Sequence, residues 1–266
     1  VIGAVDILIL GLIQGLTEFL PISSSGHLVL AQRLLHVSEP GIAVEIVLHL
    51  GSLLAVLLYF RHDLITLLSG LFRWLRGRRD EVARSHALLA LAIVIGTVPA
   101  VIAGFAGGEW LEGLYKNPRE ASIELLVTAV ILLSTLFVRR GTRMVDLGRA
   151  GWIGICQAVA LLPGISRSGT TIAGGLYLGV RPDEAARFSF LLSIPAILGA
   201  GILKAPAVVA EIHHAKGSLL LLGFAVSFVV GYLSIAGLMR VVRRGQFGYF
   251  GLYCILVGIA GLIFIR

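Results

Sequence analysis

Residues 11–27 read Gly11-Leu-Ile-Gln14-Gly-Leu-Thr-Glu18-Phe-Leu-Pro21-Ile-Ser23-Ser24-Ser25-Gly26-His27. An apolar run carrying one carboxylate stops at a proline, gives way to three serines and a glycine, and resumes as a second apolar run to about residue 36. Clusters of Pro, Gly and Ser end helices and start turns. The uncharged part of the first half, 7–17, is well short of the roughly 20 residues that cross a ~30 Å hydrocarbon core. Region 3–36 therefore reads as a re-entrant helical hairpin, not as one long helix. Irregular backbone at membrane depth is tolerated only where protein or a wet cavity shields it.

The chain around this stretch has the composition of a membrane protein. Of its 266 residues 57% are hydrophobic and 14% charged, against about 25% charged in a soluble domain; mean hydropathy is +0.95. Runs 87–108, 217–239 and 245–265 carry no charge. Six segments are predicted to span: 41–60, 86–108, 121–138, 184–203, 217–239 and 246–265. The net charge of +7 sits in short loops between apolar runs, where Arg and Lys set topology, so no nucleic-acid partner is expected. Cys156 and Cys254 lie inside apolar stretches and offer neither a disulfide framework nor a metal-ligand pair. The apolar N-terminal segment lacks a basic leader and a small-residue cleavage site, and is not read as a removable signal.

A second broken region, 150–180, is interrupted at Pro163-Gly164-Ile165-Ser166-Arg167-Ser168-Gly169. It aligns with the first without gaps at an offset of 143, and six of the sixteen positions from 11 to 26 are identical, among them Gly11 with Gly154, Gln14 with Gln157 and Ser23 with Ser166. Three spanning segments follow each hairpin. The expectation is an all-α integral membrane protein with six transmembrane helices and two re-entrant helical hairpins. It forms one membrane domain over 1–266, with a first repeat at 1–138 and a second, inverted repeat at 139–266. Of the 22 Lys and Arg residues, fifteen fall on one side, six on the other, and Arg167 inside the second hairpin. The positive-inside rule puts the fifteen in the cytoplasm and both termini outside. The hairpins then dip in from opposite faces, and their tips meet near the midplane, as in many transporters.

Ionisable groups inside membrane segments cost ~2.5–3.5 kcal/mol each even on mild scales. That cost singles out Glu18, His27, Glu45, His49 and Arg167. Gln14 and Glu18, four apart, share a helix face. Ser24 and His27 follow on the same hairpin, and Arg167 occupies the position equivalent to Ser24. Arg167 is flanked by Ser166, Ser168 and Thr170, as Ser24 is by Ser23 and Ser25. A guanidinium among hydroxyls and loop amides suits a phosphate, and helix N-termini after each loop add positive dipole. Plainer roles exist for the same residues. Ser and Gly allow close helix packing, Glu18 with Arg167 makes a buried ion pair, and His27 can cap a turn. Glu45 and His49 either line the site or snorkel outward. Asp6 reads as interfacial, and segment 64–76 as an amphipathic surface helix.

Gln14-Gly-Leu-Thr-Glu18-Phe-Leu-Pro-Ile-Ser-Ser-Ser-Gly-His27 and Pro163-Gly-Ile-Ser-Arg-Ser-Gly-Thr170 resemble the two signatures of the undecaprenyl pyrophosphate phosphatase family, known also for bacitracin resistance. The resemblance runs the length of the chain. The first family signature begins with Glu or Gln, so Gln14 is an accepted variant that leaves one carboxylate fewer for a metal. The resemblance implies hydrolysis of undecaprenyl diphosphate to undecaprenyl phosphate, recycling the lipid carrier of peptidoglycan synthesis in the bacterial cytoplasmic membrane. It also implies a divalent cation, Mg²⁺ or Ca²⁺, and a site open to the outer face. Gln14 and Glu18 match the positions linked to metal and catalysis, Ser24 and His27 the candidate nucleophile and base, and Arg167 the phosphate-binding arginine. Ser24 attacking after deprotonation by His27 or Glu18 is the favoured scheme. Attack by His27, or by water with His27 as base, stays open.

A polyprenyl-phosphate transporter or flippase is the rival class, because inverted repeats suit alternating access. A phosphatidic-acid-type phosphatase is rejected: its pattern wants a His six residues after the Arg of Ser-Arg, and position 173 is Ala. The partners expected are a polyprenyl diphosphate and membrane lipids. A homodimer is entertained, although oligomeric state has no signal in the sequence.

Overall fold

The computed structural model describes residues 3–35, 42–78, 80–114, 117–212 and 217–265. Arg79, Lys116, Lys216 and Arg266 of the charge count, and the margins of the expected segments 3–36 and 41–60, lie outside the described residues. Eleven helices are described: α1 Ala4–Phe19, α2 Ser24–Leu34, α3 Ile42–Tyr59, α4 Arg61–Leu75, α5 Glu81–Leu114, α6 Pro118–Ser134, α7 Leu147–Val159, α8 Arg167–Tyr177, α9 Pro182–Ile212, α10 Gly217–Arg243 and α11 Phe250–Phe264. Short 3₁₀ turns at Thr135–Phe137 and Phe247–Tyr249 extend α6 and lead into α11. No strand occurs among the described residues.

The starts and stops follow local chemistry. Ser23, Asn117, Asp146 and Ser166 each accept a hydrogen bond from a backbone N–H in the first turn of the helix that follows, the usual role of N-cap residues. Pro118 stands in the first turn of α6, where its missing N–H costs nothing. Helix α5 breaks at Gly108, with φ 35°.

Five stretches are long and apolar enough to cross a membrane: Glu81–Gly108, Pro118–Phe137, Pro182–Pro206, Gly217–Arg243 and Phe247–Phe264. Ala43–Tyr59 qualifies only together with Arg61–Leu75, from which it is bent by 72°, so the described residues hold five such spans, or six if that pair is one broken span. Five of the six expected segments are matched outright, and 41–60 only as part of the bent pair. The surface helix expected at 64–76 is α4, which turns Leu67 and Gly70 inward and leaves Ile65, Leu68, Phe72 and Leu75 exposed. Asp63 ties it to α9 through Arg187 at 2.6 Å.

Polarity is arranged inside out. Ile102, Phe105, Ile202 and Leu256 in the spans are exposed, whereas Gln14, Ser52, Ser122, Thr128, Thr171, Ser189 and Ser227 are buried. Between helices in a bilayer the driving force is close packing, not the hydrophobic effect, and small residues supply it. Helix α1 packs along α10 and α7 along α5. A Cβ on Gly11 would stand 3.2 Å from the Gly223 carbonyl oxygen, and one on Gly154 2.5 Å from that of Gly96. Two glycines 143 positions apart thus make matching backbone approaches.

Candidate active site

Each broken region is a helix, a loop and a second helix: α1 and α2 around 20–23, α7 and α8 around 160–166. Helices α2 and α8 both pack against α6. Thr128 of α6 fixes the second loop, donating to the Gly164 carbonyl at 2.9 Å and accepting from the Ser166 N–H at 3.0 Å. Gly164 has φ 97°, and a Cβ there would meet the Ala121 carbonyl oxygen at 2.6 Å, so both conformation and space demand glycine.

The loops close on each other through equivalent residues. Ser25 Oγ accepts from the Gly164 N–H at 3.3 Å, and Ser168 Oγ donates to the Leu20 carbonyl at 3.1 Å. Ser23 Oγ accepts from the Gly26 N–H, and Ser166 Oγ from the Gly169 N–H. Thr170 Oγ1 donates to the Ser166 carbonyl at 2.7 Å. The five hydroxyls expected around a phosphate, those of Ser23, Ser25, Ser166, Ser168 and Thr170, are therefore engaged in capping helices and joining loops. Ser23 has φ 66° and ψ 104°, an uncommon conformation for a residue with a side chain, worth about 1–3 kcal/mol of strain. It immediately precedes Ser24.

Ser24 and Arg167, the first residues of α2 and α8, converge on one carboxylate. Glu18 is buried at the end of α1. Its Oε1 accepts from Arg167 Nη2 at 2.8 Å, and its Oε2 accepts from Ser24 Oγ at 2.7 Å and from Gln14 Nε2 at 3.1 Å. His49 Nε2 stands 3.7 Å from Oε2, its ring held by Nδ1–H donation to the Glu45 carbonyl at 2.8 Å. Arg167 Nη1 is buried with no hydrogen-bond partner. An unsatisfied buried donor costs about 1–3 kcal/mol, and a buried ion pair is a weak source of stability. Holding the fold together is thus a poor reason for this arrangement. An anion beside Arg167 would satisfy the free donor.

A family model described as bacitracin resistance protein BacA matches residues 7–260. The chain belongs to the BacA family. Among proteins named undecaprenyl-diphosphatase, it is 42% identical to that of Alcanivorax borkumensis over 97% of each chain. It is 45% identical to that of Desulfosudis oleivorans over 94% of each, and 40% identical to that of Korarchaeum cryptofilum over 95% of this chain and 96% of the relative.

Three members of the neighbourhood of this candidate site in the BacA-family chain were less visible in the sequence. His49, readable there as facing either way, is half exposed and directed at Glu18. Tyr253 of α11 reaches His27: the rings stack at 5.6 Å, and the hydroxyl lies 2.9 Å from Nε2. With Nδ1 on the Ser23 carbonyl at 2.8 Å, His27 has both nitrogens engaged, and the hydrogen bond of Ser24 Oγ goes to Glu18 instead. Glu124 of α6 adjoins Gly164 and keeps one carboxylate oxygen buried without a partner. Nothing in a one-dimensional pattern distinguishes it from a helix-surface acid.

No group of three or more His, Cys, Asp or Glu side chains that could hold a metal occurs among the described residues. Gln14 Oε1 is nevertheless buried without a donor, on the side chain whose Nε2 donates to Glu18 Oε2. One carboxylate and neutral oxygens fit a hard cation that takes its remaining ligands from substrate phosphates and water.

Proposed function

We propose that this chain removes the terminal phosphate of undecaprenyl diphosphate, giving undecaprenyl phosphate and inorganic phosphate. The observation that carries the reading is the meeting of Ser24 and Arg167, 143 positions apart, on the two oxygens of Glu18, with Arg167 Nη1 left free for a phosphate oxygen. The relatives' names agree with it. The apolar tail of such a substrate stays in lipid, and only its diphosphate enters among the polar residues.

In this scheme Arg167 holds the terminal phosphoryl group by charged, forked donation, and the N-termini of α2 and α8 add positive potential. Ser24 Oγ forms a bond to the terminal phosphorus while the bond from that phosphorus to the bridging oxygen breaks, and the hydroxyl proton passes to Glu18. Undecaprenyl phosphate leaves. Water then attacks the phosphoserine, inorganic phosphate departs and Ser24 regains its proton. Positioning and charge neutralisation supply most of the catalysis in phosphoryl transfer. A divalent cation, Mg²⁺ or Ca²⁺, held by Glu18 and Gln14 Oε1, would neutralise diphosphate oxygens when bound. His27, fixed by Ser23 and Tyr253, positions the first loop.

We further propose that 1–138 and 139–266 are inverted repeats, each a re-entrant hairpin followed by three spans, and that the site opens to the outer face of the bacterial cytoplasmic membrane. The matched glycine contacts and reciprocal loop bonds support this arrangement. The test is phosphate release from a polyprenyl diphosphate by purified protein in detergent, with and without chelator. One phosphate per lipid, lost on chelation and restored by Mg²⁺ or Ca²⁺, is expected. Lipid movement across vesicles without phosphate release would make the chain a carrier, and a phosphoryl group trapped on His27 would reassign the nucleophile.

A further inference from the structure

The opposite end of α8 carries a second concentration of chemistry. Arg139, Arg140 and Arg143 lie on the segment that joins the end of α6 to α7, and Arg149 lies in the first turn of α7. The segment is pinned: Arg143 N–H donates to the Gly179 carbonyl at 3.1 Å, and Arg181 N–H donates to the Arg143 carbonyl at 2.9 Å. An open cavity of about 670 Å³ is lined by these four arginines together with Trp152 and Tyr177. The one acid in its lining, Asp146, is paired with Arg149. Arg139 and Arg143 are exposed, and neither guanidinium has a hydrogen-bond or ion-pair partner among the described residues.

The position of this cavity limits what it can hold. It begins where the apolar stretch Pro118–Phe137 ends, and Phe137, Trp152 and Tyr177 are 90%, 62% and 52% exposed. Aromatic side chains at that level mark the boundary between hydrocarbon and headgroups. A second cavity, of about 220 Å³, shares Arg139 and Arg140 but is otherwise walled chiefly by apolar groups, among them Leu136, Val138, Val242 and Phe247. Positive charge thus adjoins an apolar recess at the membrane surface. A soluble polyanion would use the first feature and gain nothing from the second.

We propose that this is a binding site for an anionic bilayer phospholipid, with the headgroup phosphate held by Arg139 and Arg143 and an acyl chain lying against Phe137 and the apolar recess. Guanidinium forks match phosphate oxygens, and basic recesses between membrane helices take lipid headgroups in this way. The site is separate from the candidate active site: α8 starts at Arg167 and ends at Tyr177, a helix about 15 Å long at 1.5 Å per residue. It uses none of Gln14, Glu18, Ser24 or Arg167, so it stands or falls independently of the phosphatase reading.

The purified chain in neutral detergent, titrated with phosphatidylglycerol or with phosphatidylcholine of the same acyl chains, tests it by native mass spectrometry and melting temperature. Phosphatidylglycerol should bind and raise the melting temperature, and phosphatidylcholine should do neither. In R139Q/R143Q the apparent affinity should fall roughly 30-fold, about fivefold for each arginine lost near the surface. Its lipid-free melting temperature and its phosphate release in plain detergent should match those of the unsubstituted chain. Equal binding of the two lipids, or undiminished phosphatidylglycerol binding in the double variant, would overturn the proposal. So would an equal shift with inorganic phosphate alone, which would make this a free-anion site. Displacement of phosphatidylglycerol by a tighter-binding polyprenyl monophosphate would overturn it as well, by assigning the site to the product.

Discussion

Replacing Glu18 with Gln keeps the shape of the side chain and removes the charge that faces Arg167 and accepts from Ser24. Loss of a general base typically costs 10²–10⁴-fold, so phosphate release by E18Q should fall by at least about 10²-fold. Stability should fall too, because stripping one partner from a buried ion pair costs about 3–5 kcal/mol; a melting curve beside the activity assay separates the two effects. The carboxylate, the serine triplet, the histidine and the arginine were legible in the sequence because each is expensive or helix-breaking in a membrane. The direction each one faces was not. Whether a serine hydroxyl caps its own helix, as that of Ser23 does, or points at Glu18, as that of Ser24 does, depends on a loop conformation that spacing alone does not encode. The contact of Tyr253 with His27 depends on where α11 packs, 226 residues away in the chain.

Helix contacts here rest on backbone approach, and substitutions should report that directly. A Cβ at Gly154 would overlap Gly96, and overpacking costs about 1–3 kcal/mol. Gly154→Val should therefore lower the melting temperature by several degrees. Gly199→Ala, with nothing within 4 Å of the added carbon, should hold or raise it, since alanine is about 0.5–1 kcal/mol better than glycine in a helix. Equal effects of the two would contradict the close α5–α7 packing. At this scale the sequence was most informative. Hydrophobic length located five spanning segments and the first helix of the bent pair, and Pro-Gly-Ser clusters located both breaks. The 72° turn between α3 and α4 was visible only as the place where apolar spanning character changes to amphipathic; the packing of α4 on α5 left no local mark.

The proposed inverted arrangement of the two halves places their basic loops on a single side. With Cys156 and Cys254 replaced by Ala, a membrane-impermeant thiol reagent added to intact cells should label Gly113→Cys and spare Arg78→Cys until the membrane is opened. Labelling of both from outside would contradict the inverted arrangement. The offset of 143 is legible in sequence, but the reciprocity of the two loops is not, because Ser25 with Gly164 and Ser168 with Leu20 are contacts between distant parts of the chain. That reciprocity is what joins Ser24 and Arg167 into one site, and groups that act as a unit give non-additive losses. The most direct measurement is the rate of phosphate release from a polyprenyl diphosphate by S24A, R167A and S24A/R167A. The double variant should be about as slow as the slower single variant; a loss equal to the product of the two single losses would mean that the loops act independently.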